Sequence, residues 1–575
     1  MLTHSVGRLT FLPQTGNPQV RQPWQSGEVP RVWQTASAPA LIGLALVLGC
    51  NGGRDSEPEA VVTITIGEEA GDDAGMTTDD GNDDGLEERL DLGQGTGDGN
   101  GGDGPGVGGC TEAAQAQSNQ GCEFWAVDLP NAWAGSNGSP APEAQQFAVV
   151  VANTASDAPA NVQVFLGDAA DTIDEASVPI GEIHEFRLPD HSQAARENTY
   201  GGTAFRIESD VPITAYQFNP LDNTVQVFSN DASLLFPTHV LGTDYTAITG
   251  DALLLGTDAN PQGENAGAFV SIVATEDGTS VDLTATWALY PGATADVVLN
   301  RGEVFTALSV GAGTNPATPG DGNLSGSRVV SDKPVAVFSG NVATIEPNPG
   351  DCCADHLEQQ MLPLVAWGDS YLAAPPPSPV TPGAAVPSGY RITGSFDGTT
   401  LSYSPSAPAG APTTINAGQT IRFQTNQAFS VTSGDPDRPF AVTQFVLSAQ
   451  IIDVFANAGD PAMISLPAAA QFQDTYIFLV PAGYESNYVT VIRVAGTEVS
   501  RDGVSVAAAA WQSLGTLDGI AYEYAHLGVP TGSHLIESEE PCGIISVGYD
   551  DDVSYGYPGG SGLKIISEPP PPPAG

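Results

Sequence analysis

The sequence predicts an all-β protein: about four tandem β-sandwich-like repeats of roughly 100 residues each, following a disordered N-terminal region. Two observations carry this. Gly (67) and Pro (46) are abundant in the 575 residues while there are four Met and two lysines, Lys333 and Lys564. Turn formers with many Val and Thr favour short strands over long helices, and no stretch sustains a helical stripe. The second observation is repetition: from Cys122 onward three short signatures recur in one order.

The first is Leu-Pro or Phe-Pro followed eight or nine residues later by Tyr: "LFPTHVLGTDY" (Pro237, Tyr245), "LPLVAWGDSY" (Pro363, Tyr371) and "LPAAAQFQDTY" (Pro467, Tyr476). The second is an apolar strand, an Asp-Gly turn and another strand, at Asp277-Gly278 and Asp397-Gly398. Glycine takes the positive φ of a tight turn at little cost, so each is expected to be a hairpin. A further turn with Gly before Glu or Gln follows, at Gly181, Gly302 and Gly418. The third signature closes the unit with a polar turn, a proline and alternating apolar residues: "SDVPITAYQF", "SDKPVAVFSG", "DRPFAVTQF" and "SEEPCGIISVGY". Proline at a strand's entry costs no ladder hydrogen bond. The closing prolines, at 212, 334, 439 and 541, set the period and divide a body of residues 110–565 into approximate repeats 122–230, 231–350, 351–455 and 456–565. A β-propeller-like arrangement is the alternative. The Pro-rich tail 566–575 ends the fold.

Ahead of the body, "APALIGLALVLGC" is too short for a membrane span of about 20 residues and suits a signal-peptide core. It closes on Val47-Leu48-Gly49-Cys50, which resembles a bacterial lipobox with Cys50 as the lipidated residue. Residues 1–50 therefore read as a signal peptide, with a start at Val29 or Val32 accounting for the long segment before it. Residues 51–109 are Gly- and Asp-rich and bury too little apolar surface to fold, so they read as a flexible acidic linker. The chain carries 17 basic and 68 acidic side chains, a formal net charge of −51. That balance repels phosphate and disfavours nucleic acid as a partner. No cofactor is expected; calcium at the linker's Asp-Gly pairs is the alternative.

Chemistry-bearing residues concentrate in "DCCADHLEQQMLP", residues 351–363. Cys352 and Cys353 form a vicinal disulfide, or one pairs elsewhere, while Cys110 and Cys122 clip the start of the body. Zinc held by Cys352, Cys353, Asp355 and His356 is the functional alternative, although adjacent cysteines without a second pair make a poor tetrahedral cage. Asp355, His356 and Glu358 are expected to hold an inter-repeat loop by hydrogen bonds. Cys542 stands where sister repeats have Ile213, Val335 and Phe440, and reads as a buried free thiol. None of the seven histidines lies in a His-Glu-x-x-His motif, and no nucleophile elbow or P-loop is present.

"DHLEQQMLPLVAWGDSYLAAP" resembles a signature of the IgGFc-binding protein N-terminal domain family: Asp355, His356, Leu357, Glu358, Pro363, Trp367 and Gly368 match its pattern. "GSHLIESEEPCGIISVGYDDDVSYGYPGG" resembles the family's closing segment through His534, Tyr555, Gly556, Tyr557, Pro558 and Gly559. Ser533 and Val553 depart from it. The resemblance implies an extracellular binding or adhesive module and no catalytic residues. The expectation is a lipid-anchored protein on the bacterial outer membrane or cell surface that binds an extracellular protein or glycan. A structural envelope component is the alternative, and an enzyme acting on polysaccharide or protein is third.

Overall fold

A computed structural model describes residues 109–568, except 134–140, 156, 193–201, 222–228, 256–263, 291–295, 312–317, 352, 382 and 454–457. Cys50, Cys352, the signal segment, residues 51–108 of the linker and residues 569–575 lie outside the described residues.

The second repeat shows the plan. Its strands are β1 (Asp244–Thr246), β2 (Ala268–Ala274), β3 (Thr279–Thr284), β4 (Asp296–Leu299), β5 (Glu303–Leu308), β6 (Arg328–Ser331), β7 (Val335–Thr344) and β8 (Asp355–Gln360). One sheet runs β1-β6-β3-β4 and the other β8-β7-β2-β5, all antiparallel. Strand β3 reads TSVDLT with alternating buried and exposed positions, and turns Val281 and Leu283 inward. They meet Val270, Ile272, Phe305, Val329 and Val337 between the sheets. Each such side chain contributes about 1.5–3 kcal/mol on burial.

The closing signature turns out to be a crossing between sheets. Strand β6 pairs in one sheet, Pro334 follows, and β7 pairs in the other. In the first and fourth repeats the crossing is one long strand, Phe205–Asn219 or Gly532–Asp550. The half before the crossing pairs with the outer sheet and the half after it with the inner sheet. Pro212 and Pro541 lie at the change of partners, where a missing N–H removes nothing from either ladder.

The Tyr of the first signature ties the repeat's start to this crossing. Tyr245 accepts the Gly242 N–H at 2.8 Å and donates to the Val335 carbonyl at 2.7 Å. Tyr371 does the same with Gly368 and Phe440, and Tyr476 with Gln473 and Cys542. In each case the acceptor is the residue after the closing proline. The first repeat has Phe124 at this position, and there the Cys110–Cys122 disulfide fastens the incoming chain. Tyr371→Phe orphans a buried carbonyl and an N–H, so urea unfolding is expected to show a loss of about 1–3 kcal/mol.

Two expectations are corrected. Gly278 and Gly398 do have positive φ (+64° and +68°), but the strands they join lie in different sheets. These turns are corners of the sandwich, since Asp-Gly sets the local dihedrals and not where the next strand pairs. The same holds for the Gly302 and Gly418 turns, whereas the strands on either side of Gly181 belong to one sheet built on the long strand Phe205–Asn219. Hairpins with an Asp-Gly turn do occur at Asp502-Gly503 and Asp518-Gly519 in the fourth repeat. The repeat boundaries also move. The segments Asp231–Leu234, Asp355–Gln360, Ala462–Ser465 and Val553–Pro558 are strands hydrogen-bonded to the closing strand of the preceding unit. "DHLEQQ" is therefore the innermost strand of the second repeat and not a loop.

These four inner strands neighbour one another in a closed cycle around a central axis. The two sequence readings meet here: each unit is a sandwich, and the four are arranged radially like propeller blades. The ends of the body close the ring. The Asn119 N–H donates to the Ser561 carbonyl at 3.1 Å and the Leu563 N–H to the Gln117 carbonyl at 2.6 Å. A close glycine contact recurs between units. A Cβ on Gly121, Gly242 or Gly368 would stand 2.3–2.6 Å from Pro237, Pro363 or Ala468 of the next Leu-Pro turn.

A buried polar axis as the candidate functional site

Asp231 sits at the centre of the ring. Its Oδ1 accepts the Ala232 N–H at 2.9 Å; its Oδ2 accepts those of Glu358 and Met463, both at 3.2 Å. The Gly556 N–H also favours the anion of this carboxylate. These four donors are equivalent, one from each inner strand. They pair with Phe218, Gly340, Phe445 and Val547, each six residues after its closing proline. One carboxylate thus accepts the axis-facing N–H groups of three edge strands and interacts favourably with that of the fourth. Burial pushes the Asp231 carboxyl well above the usual range, and the four N–H groups oppose that shift by favouring the anion.

Glutamines complete the layer. Gln359 Nε2 donates to the carbonyls of Ala232 (2.8 Å) and Gly556 (3.3 Å), and Gln360 Oε1 accepts the Phe236 N–H at 2.7 Å. Glu358 accepts from Gln217 Nε2 at 3.2 Å and lies 3.5 Å from His356 Nε2. That contact is not an ion pair. Burial, with Asp231 and Asp128 nearby, raises the Glu358 carboxyl well above its ordinary value, and burial lowers His356 to about 3. The buried carboxyl faces a neutral imidazole, which stacks on Phe269. The carbonyls of Asn341 and Val342 lie near the ring without hydrogen-bond geometry.

One family model, described as IgGFc binding protein, matches residues 231–548. The chain belongs to the IgGFc binding protein family. A curated human protein named IgGFc-binding protein is 24% identical over 435 residues, covering 72% of this chain. The match spans about 7% of that relative's length. The family match begins at Asp231, on the axis, and ends within the last closing strand.

The IgGFc-binding signature residues are placed by the ring. Asp355, His356, Leu357 and Glu358 are completely buried in the second inner strand. Pro363 covers Gly242, the Trp367 indole donates to the Leu362 carbonyl at 3.3 Å, and Gly368 serves the Tyr371 hydroxyl. Tyr555, Gly556, Tyr557 and Pro558 form the fourth inner strand. The Tyr555 hydroxyl donates to Asn487 Oδ1 at 3.0 Å, and the Gly559 carbonyl accepts from Tyr216 at 3.2 Å. A Cβ at Gly556 would stand 2.7 Å from Ile464, so close packing at the axis requires glycine. His534 lies away from the axis, on the outer sheet, with its nitrogens facing Asp502 (2.9 Å) and the Pro530 carbonyl (2.8 Å).

Cys110 and Cys122 are disulfide-bonded, and Cys542 is free and buried. Burial raises the Cys542 thiol to about 12. Cys353 is also disulfide-bonded. It therefore supplies no thiolate, and the Asp355 Oδ1 is engaged by the N–H groups of Asn230 (2.6 Å) and His356 (2.7 Å). The zinc cage drawn from Cys352, Cys353, Asp355 and His356 does not fit this arrangement. Sequence reading passed over Asp231, Asp460 and Asp552. Their signal is an aspartate six or seven residues before the proline of a Phe-Pro, Leu-Pro or Tyr-Pro pair (Pro237, Pro467 and Pro558), visible only once the inner strands are aligned.

Proposed function

We propose that the chain is an exported lipoprotein, anchored through Cys50 to the outer membrane or cell surface. Its ring of β repeats binds an extracellular protein or glycan. The observation that carries this reading is the burial of the family signature. Asp355, His356 and Glu358 are fully enclosed at the axis, so a partner meets the outer surfaces of the ring. The relative's name supports a protein ligand, and immunoglobulin G Fc is the first to try. The acidic linker of residues 51–109 would hold the ring away from the anchor. No turnover is proposed.

The test uses the full chain on protein and glycan arrays that include an immunoglobulin Fc fragment, together with fatty-acid labelling in a bacterial host. At least one saturable partner is expected, along with label that Cys50→Ala abolishes. Absence of any saturable partner would favour a passive envelope component. Turnover lost on a single carboxylate substitution would make the protein an enzyme.

A further inference from the structure

A cavity of about 250 Å³ lies between the segment that follows β7 and the third repeat. One wall is built from the strands Ser388–Gly394 and Thr420–Thr425. Tyr390, Ile392 and Phe423 turn into the core of their own repeat, so Gly389, Arg391, Arg422 and Gln424 stand on the opposite face, toward the cavity. In the ladder Arg391 lies directly opposite Arg422, and Gly389 opposite Gln424. Glu346 and Asn348 line the cavity from the second repeat.

Like charges directly opposite each other repel. In a chain with 17 basic against 68 acidic side chains, two cations side by side on one cavity wall stand out. Each has one carboxylate: Arg391 Nη2 donates to Glu346 Oε1 at 2.5 Å, and Arg422 Nη1 to Asp251 Oδ2 at 2.7 Å. Most of the pair's N–H donors are left over. Those of Arg422 reach solvent, since that side chain is 39% exposed. Arg391 is different. Its side chain is 2% exposed, the Phe445 ring covers the guanidinium at 4.1 Å, and Nη1 has no hydrogen-bond partner. A buried charged donor without an acceptor is costly, and it marks a place where an acceptor belongs.

We propose that this cavity receives the carboxylate of an acidic sugar, a uronic or sialic acid residue of an extracellular glycan. The proposal rests on the reading of the ring as a binder of extracellular protein or glycan, and names the ligand class. Forked guanidinium donors match the two oxygens of a carboxylate. Gln424 and Asn348 add amides, and Glu346 an acceptor, for ring hydroxyls; an acidic peptide side chain has no hydroxyls to use them. The cavity has room for a single sugar ring.

The test is isothermal titration of the full chain with sodium glucuronate and with N-acetylneuraminate at constant ionic strength, beside glucose and a glutamate-containing peptide. Saturable binding of at least one acidic sugar is expected, with glucose and the peptide weaker by about tenfold or more. Arg422→Gln removes a guanidinium while Asp251 keeps the Gly320 N–H and Asn323 Nδ2 as donors. Gln424→Trp fills the cavity from an exposed position, so its urea midpoint is expected to match the parent's. Each variant is expected to raise the Kd by about tenfold or more. Arg187→Gln, at an exposed cation of the first repeat, is expected to keep the parent's affinity. Three results would overturn the site: no saturable binding of either acidic sugar, binding that both cavity variants retain, or glucose or the peptide bound as tightly. A protein or neutral glycan captured on the arrays without any acidic-sugar response would sink this site and leave the broader reading standing.

Discussion

Asp231→Ala is expected to destabilise the chain more than any other single truncation at the axis. The substitution removes the acceptor of three buried backbone N–H groups, from Ala232, Glu358 and Met463, and the carboxylate that the Gly556 N–H favours. Each orphaned buried donor costs about 1–3 kcal/mol. Part of that cost is offset, because the carboxyl no longer has to be buried, leaving a net loss of at least about 3 kcal/mol. Urea unfolding is the measurement. Asp231→Asn keeps one acceptor oxygen and is expected to fall between the parent and the alanine variant. Equal stability of Asp231→Ala and the parent would mean that the N–H groups do not converge on this side chain.

Stability is expected to fall as pH rises from about 4 to 8, with Asp128 as a principal cause. Its carboxyl is buried beside Glu143 and Asp190, and burial raises its pKa from 3.8 to about 8. The Asp128 Oδ2 accepts the His191 N–H at 3.0 Å, which only partly opposes the rise. Below pH 3.8 both states hold the proton and no difference arises. Between 3.8 and 8 the unfolded chain releases it while the folded chain keeps it, so each step upward favours unfolding. The accumulated effect at pH 8 is on the order of 3–5 kcal/mol. Asp128→Asn keeps an acceptor for His191 and cannot ionise. Urea midpoints at pH 4, 6 and 8 are expected to separate the variant from the parent progressively, the variant being the more stable at pH 8. A parent midpoint that rises with pH would contradict this sign.

Much of the fold was legible because each repeat spells its own constraints. The Leu-Pro…Tyr spacing and the closing proline are two ends of one hydrogen bond, Tyr371 to the Phe440 carbonyl in the third repeat. Alignment of the closing strands also placed Cys542 in a buried position. What was not legible lies in pairing. Asp277-Gly278 specifies a positive φ, but the choice between a hairpin and a corner is made by which sheet β3 joins. Ring closure rests on contacts such as that of Asn119 with Ser561, 442 residues away, and nothing local announces it. The candidate site misled for a chemical reason. Asp355, His356 and the cysteines look like ligands when read as a cluster, whereas Asp231, which organises the axis, stands in an unremarkable "NDASLL". Its role depends on N–H groups of three other strands, and backbone donors leave no trace in residue identity.

The central claim is that the four inner strands form one closed, cooperative axis pinned by Asp231. Native-state hydrogen exchange on peptides covering Asp231–Leu234, Asp355–Gln360, Ala462–Ser465 and Val553–Pro558 tests it most directly. All four are expected to exchange only through global unfolding in the parent, and to lose protection together in Asp231→Ala. Fast exchange in any one of them, or loss confined to Asp231–Leu234 in the variant, would contradict the account.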